Sequence, residues 1–207
     1  KNDYLIGNTK ISIPPTVLFS VMGKIDDVRK AVTMDAKGPG DLVYVLGETL
    51  NELGASEYYA MRGYLGNQVP KVDADKAKRL YRRLNEATEA GLIASCHDCS
   101  DGGLGVALAE TAFAGGLGME IDLRKVPAIE ADRDDLLLFS ETQSRFVVTI
   151  PSHRKVDFEE LSKGMVCGLL GKITSAPVFR AVGLNGREII RADIRDLKEA
   201  WKRPLGI

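Results

Sequence analysis

The chain has 207 residues, 44% of them hydrophobic and 28% charged, with a net charge of −1 at neutral pH. That balance supplies no basic field for nucleic acid or an anionic membrane, and no apolar run approaches the roughly 18–20 residues that span a bilayer. The length suits one large domain, or one domain with an appended piece, and can bury a sizeable core. Three cysteines, an odd number, argue against a disulfide framework and for a reducing, cytoplasmic setting.

In chain order, the opening KNDYLIGNTK has neither Met nor an apolar signal-peptide core, and the expectation is a piece cut from a longer chain. Pro14-Pro15 imposes an extended lead-in, and the β-rich residues 17–22 are predicted as a strand. A short helical or turn segment follows and ends in Gly38-Pro39-Gly40, strong punctuation near which the main domain is taken to begin. Residues 41–47 read as a buried strand. Over 74–90, Ala77, Leu80, Tyr81, Leu84, Ala87 and Thr88 repeat at helical spacing, with Asp73 or Asp75 able to cap the start and Gly91 the end.

Residues 91–98 are strand-like, and Leu104, Ala107, Leu108, Thr111 and Ala112 outline a second helix closed by Gly115-Gly116. Residues 119–123 alternate as a half-buried strand should. DDLLLF is ambiguous between helix and strand, and 145–150 is a strand. A short helix is predicted over 157–163, then a glycine-containing strand, then a hairpin on Asn185-Gly186 with a type I′ turn. Asp193 caps a last helix through Trp201, and Pro204 blocks its extension. The order predicts an α+β or α/β domain with a mixed sheet.

The densest stretch is SCHDCSDGGLGVALAET, residues 95–111. Cys96 and Cys99 have redox spacing, but Ser100-Asp101-Gly102-Gly103 intervenes before the helix that would activate a thiol. As a metal site it offers two Cys and His97, with no second cluster to complete the set. As an anion site, Ser100 would cap the helix while Gly102 and Gly103 let a ligand approach the backbone N–H groups. Asp98 and Asp101 oppose a bare phosphate there unless Mg²⁺ or a ribose intervenes. The alternative is a plain helix cap with glycines for close packing, and spacing alone leaves both open.

Two further polar clusters carry the same pair of readings. LGETLNELGASEYY places Glu48, Glu52, Gly54, Ser56 and Glu57 directly after a strand, where ligand loops of α/β sheets gather; a solvated turn leading into a helix is the simpler account. FSETQSRF sets Glu141, Gln143, Ser144 and Arg145 between apolar runs, able to bind a polar ligand or to satisfy one another.

LGET with ELGASEYY, then HDCSDGGLGVALAE, then FSETQSRF, in this order, resemble the last domain of the phosphoribosylformylglycinamidine synthases, synthetase subunit (subunit II), within the aminoimidazole ribonucleotide synthetase-like superfamily. The upstream run from ISIPP to YVLG is similar too, so the resemblance covers nearly the whole chain. It implies an α+β fold with helices packed on a mixed sheet. Residues 1–37 would be the exit strand and linker of a missing N-terminal ATP-binding-type domain, and 38–207 the C-terminal synthetase domain.

The activity it implies is ATP-dependent conversion of formylglycinamide ribonucleotide to its amidine in purine biosynthesis. ATP would activate the amide oxygen and ammonia from a glutaminase subunit would displace phosphate. The implied cofactors are ATP and Mg²⁺ in the parent enzyme. The implied partners are the remaining domains of the same polypeptide, the glutaminase and a small accessory subunit. The ligand-binding candidates carried over are His97, Asp98, Ser100, Asp101, Gly102 and Gly103; Gly54, Ser56 and Glu57; and Glu141, Gln143, Ser144 and Arg145. The family's enzyme is internally duplicated, and Glu141-Thr142-Gln143-Ser144 resembles the second copy rather than the substrate-binding Glu-Ser-Gln of the first. The alternatives are a non-catalytic nucleotide-binding or assembly domain, or a superfamily member acting on another small phosphate ester.

Overall fold

The computed structural model describes residues 3–12 and 18–206. The chain divides into two compact units, residues 1–31 and 32–207. In the first, strands β1 (Asp3–Ile6) and β2 (Thr9–Ser12) form an antiparallel hairpin. A 3-10 turn at Val28–Lys30 is capped by the Asp27 side chain. The expected lead-in at Pro14-Pro15, and Val17 of the expected strand, lie outside the described residues. Residues 18–22 form no strand. Leu18, Phe19, Val21 and Met22 are exposed, and a strand-forming sequence needs a ladder partner and a covered face to become one.

The second unit is built on a seven-stranded sheet. In chain order its elements are β3 (Leu42–Leu46), β4 (Thr49–Leu50), α1 (Glu57–Met61), α2 (Ala74–Glu89), β5 (Ser95–Asp98), α3 (Gly103–Gly115), β6 (Gly118–Asp122), β7 (Ala128–Ile129), α4 (Asp134–Phe139) and β8 (Phe146–Ile150). Then follow α5 (Lys155–Leu161), β9 (Cys167–Thr174), β10 (Val178–Val182), β11 (Glu188–Asp193) and α6 (Ile194–Lys202). The sheet order is β11-β10-β6-β9-β3-β8-β5, with β4 and β7 forming a separate two-stranded ladder. Within the large sheet β10 and β6 run parallel and the other neighbours antiparallel, so the sheet is mixed.

Alternation along the strands sorts the core into two layers. Val43, Val45 and Val147 face one side, where they meet Leu104 and Leu108 of α3, Leu137 and Leu138 of α4 and Ile194 of α6. Tyr44, Leu46, Val148 and Ile150 face the other, against Leu80 and Ala87 of α2 and Phe158 of α5. DDLLLF resolves as helix α4. Its three leucines are all buried, on a six-residue element with Asp134 and Asp135 in the first turn, where the helix dipole favours acid.

Two local expectations are corrected. Ser100 is not the cap of α3: that position is Gly102, with φ +78° and no side-chain cap. The β10–β11 turn is not type I′, which requires positive φ at both central residues. Gly186 has φ +77° while Asn185 does not join it. Instead Gly186 N–H bonds Gly183 C=O (2.9 Å), in a three-residue loop closed by the Gly183 N–H to Arg187 C=O bond. As expected, α6 is not extended through Pro204: it ends at Lys202 and passes into a 3-10 turn, Arg203–Leu205. Asp73 caps α2 as expected, accepting from Lys76 N–H at 2.9 Å.

Candidate functional site

The three polar clusters converge at one end of the sheet. β3 and β5 both run antiparallel to β8, and the register pairs Leu46 and Asp98 with Phe146. The loops leaving β3 and β5 and the loop entering β8 therefore emerge together.

Glu141 ties them. Its Oε1 accepts from Gly102 N–H and from Glu57 N–H, each at 2.9 Å. Its own N–H donates to Glu52 C=O at 3.3 Å. The backbone donors at the starts of α3 and α1 thus already hold a carboxylate supplied by the chain. Gly103 has a packing role: at φ +67°, a Cβ there would lie 2.4 Å from Ser140 O.

Arg145 is 1% exposed. Its Nε donates to Thr142 O at 3.0 Å, one Nη to Thr49 Oγ1 at 2.9 Å and the other to Ser140 O. Burial holds its guanidinium below the ordinary arginine range. These contacts fix residues 140–142 from inside, and the guanidinium has no path to a ligand. Gly47 permits the close approach: a Cβ there would sit 2.7 Å from Ser144 O.

The remaining candidates separate by what they touch. Ser56 is buried, donates to Leu53 O (2.7 Å) and accepts from Tyr59 N–H (3.2 Å) as the cap of α1. Gly54 lies against Gln68, whose backbone a Cβ would meet at 2.6 Å. Ser144 has φ +59°, uncommon outside glycine, and its Oγ is 3.0 Å from Tyr81 OH. Gln143 donates back to Glu141 O at 3.3 Å and is exposed. Asp98 accepts from Ser100 Oγ at 2.5 Å, the first cause of its carboxyl being held below its usual range. Asp101 and Glu57 present exposed side chains to solvent.

His97 turns away from the loops. Its Nε2 is 2.7 Å from Glu110 Oε2, and Glu110 Oε1 accepts from Trp201 Nε1 at 2.7 Å, linking β5, α3 and α6. The hydrogen bond with Glu110 raises the His97 pKa, against burial. The sequence reading missed this relay because Glu110 and Trp201 lie 13 and 104 positions from His97, with no local signature. It also passed over the cations of α2, read there only for helical period.

Burial pushes the Cys96 and Cys99 thiols each up to about 11, so neither is a ready nucleophile at neutral pH. Among the described residues, no three His, Cys, Asp or Glu side chains come together as a metal site. With the Gly102 N–H engaged by Glu141 and the Gly103 N–H by Ser100 C=O, the donor set as arranged does not fit a Mg²⁺-bound phosphate at that loop.

A mixed sheet covered by helices on both faces, with three loops gathered at one strand end, defines an α+β domain. The family described as "AIR synthase related protein, C-terminal domain" matches residues 38–183, and the chain belongs to that family. It is 33% identical over 203 residues to phosphoribosylformylglycinamidine synthase subunit PurL of Methanocaldococcus jannaschii, covering 97% of this chain and 27% of that protein. The chain thus spans about a quarter of the length of the curated relatives it matches. The fold matches Thermotoga maritima PurL complexed with FGAR, with TM-score 0.72 and 23% identity over 82% of this chain and 30% of that one. It also matches the structure described as PurLQS from the same organism, with TM-score 0.69 and 23% identity over 81% and 27%.

Proposed function

We propose that the chain is the C-terminal synthetase domain, residues 38–207, of an ATP-dependent carbon–nitrogen ligase that converts formylglycinamide ribonucleotide to formylglycinamidine ribonucleotide. Residues 1–37 are the exit strand and linker of the preceding domain in this reading. The observation that carries it is the family match over 38–183 together with the PurL relative aligned along nearly the whole chain. ATP and Mg²⁺ act in the parent, outside the glycine loop of this domain. The partners are the parent's other domains, a glutaminase subunit and a small accessory subunit, in the cytoplasm. No described helix is long and apolar enough to cross a membrane.

Within the parent this domain orders a cleft wall. Glu141 and Arg145 lock three loops into one body, leaving Asp98, Asp101, Glu57 and Gln143 as the polar groups facing outward. The test is ADP release by the full-length parent with Mg-ATP and ammonia. Release should depend on formylglycinamide ribonucleotide; release indifferent to it would remove the reading and favour another small phosphate ester.

A second reading, a non-catalytic assembly domain, is favoured by the Glu141 carboxylate standing where a phosphate would stand. It expects Ser100→Ala with Asp101→Ala to leave parental turnover intact while lowering thermal stability or nucleotide retention. A large loss of turnover at unchanged stability would count against it.

A further inference from the structure

A cleft of about 650 Å³ opens beside α2, bounded by the 142–144 loop and by residues 163–166. That volume is within the range of small-molecule sites. Its floor is partly apolar, from Leu80, Met165 and Val166, and its long wall is cationic.

The charges on that wall divide into two kinds. Lys76 pairs with Glu48 at 3.1 Å and Arg83 with Glu86 at 2.8 Å, so those four largely satisfy one another. Lys71, Arg79 and Arg82 also line the cleft. Among the described residues their side chains take part in no ion pair or hydrogen bond. Asp73, the remaining acid on the lining, spends one oxygen capping α2.

Arg79 and Arg82 are three apart on one helix, and Arg79 and Arg83 four apart, so they are like-charged neighbours that weaken the helix they sit on. Although Asp75 and Glu86 lie four residues from Arg79 and Arg82, neither arginine is paired with them, Glu86 being taken by Arg83, so both guanidiniums are open to an external anion. Guanidinium forks favour phosphate, which they can grip through two N–H bonds at once. Ser144, at the opposite wall, holds a left-handed backbone (φ +59°) against Tyr81 of α2. Sparsely populated backbone of this kind clusters at ligand clamps.

We propose that this cleft binds a phosphate ester of mononucleotide size, the phosphate between Arg79 and Arg82 and the ring system over Leu80 and Val166. A half-open cleft with a partly apolar floor on a chain of net charge −1 suits a small molecule rather than a nucleic-acid strand. The site shares the 142–144 wall with the loop cluster but not its glycine loop. It therefore stands or falls separately from the ligase reading, which the parent's ADP release tests.

The experiment is calorimetric titration of the 207-residue chain with AMP at low ionic strength. Saturable binding is expected, weakened by added salt and at least tenfold weaker in Arg79→Ala/Arg82→Ala. Both side chains are exposed, so circular dichroism should show an intact fold. Lys78→Ala/Lys198→Ala removes the same charge elsewhere and should stay within twofold of the unaltered chain. No saturable binding at millimolar AMP would overturn the proposal. So would equal weakening in the two double variants, or loss of binding in Ser100→Ala/Asp101→Ala with the arginine pair variant unaffected.

Discussion

Glu141 decides how the candidate site is organised. One of its oxygens serves two backbone donors, from residues 39 and 84 positions away. Removing the carboxylate leaves both N–H groups without that partner, the Gly102 one partly buried and the Glu57 one exposed. Glu141→Ala is therefore expected to lose about 2 kcal/mol of unfolding free energy, since an orphaned donor costs roughly 1–3 kcal/mol and part of that is returned by water. Glu141→Gln keeps an acceptor oxygen and should recover most of the loss. Urea titration of the two variants checks this, and equal losses would mean that charge rather than the hydrogen bonds matters. Arg145→Met should cost more, about 3 kcal/mol, because buried carbonyls at Ser140 and Thr142 lose a charged donor together. Both residues were visible in FSETQSRF as polar groups between apolar runs. Whether such a group holds a ligand or a distant loop depends on contacts of long sequence separation, and no spacing within the motif carries that information.

At the scale of elements, legibility followed periodicity. Helix α2 and the strands β3, β6 and β8 were readable because each buries one regular face or a whole run. The start of α3 was not, because Gly103 and Gly105 answer to residues 138–140 at the end of α4. Gly103→Ala combines a left-handed backbone with a Cβ driven to 2.4 Å from Ser140 O. It should cost at least about 2 kcal/mol, read as a lowered melting temperature.

The His97–Glu110–Trp201 relay joins three elements and makes their docking depend on pH. His97 is raised above its ordinary value mainly by Glu110, with Asp98 adding and burial opposing. A raised folded-state value means that protonation favours the fold. That contribution is full below about pH 6.5, the unperturbed histidine value, and is lost as pH climbs through the folded value. Unfolding titrations of the unaltered chain and of His97→Asn should therefore differ most at pH 6 and converge toward pH 9. Trp201 is the chain's one tryptophan, so the same pH interval should move its fluorescence in the unaltered chain and not in the variant. A stability gap that is flat with pH would mean that His97 acts by packing alone.

For the whole molecule, the two units differ in what they bury. Residues 32–207 contain both core clusters, one on each face of the sheet. The first unit has no buried apolar side chain among its described residues: Tyr4, Leu5 and Ile6 of the hairpin and Leu18, Phe19, Val21 and Met22 after it are all exposed. Apolar side chains this exposed add no hydrophobic stabilisation and offer a patch prone to association. Stability should therefore reside in the second unit. Deleting residues 1–31 is expected to leave the melting temperature within about 2 °C, as a change well under 1 kcal/mol requires for a domain of this size. The same deletion should reduce binding of a hydrophobic dye and any concentration-dependent self-association seen by light scattering. A melting temperature lowered by much more than that, with the dye response unchanged, would mean that the first unit contributes packing to the fold, and that its apolar side chains are not the exposed surface described.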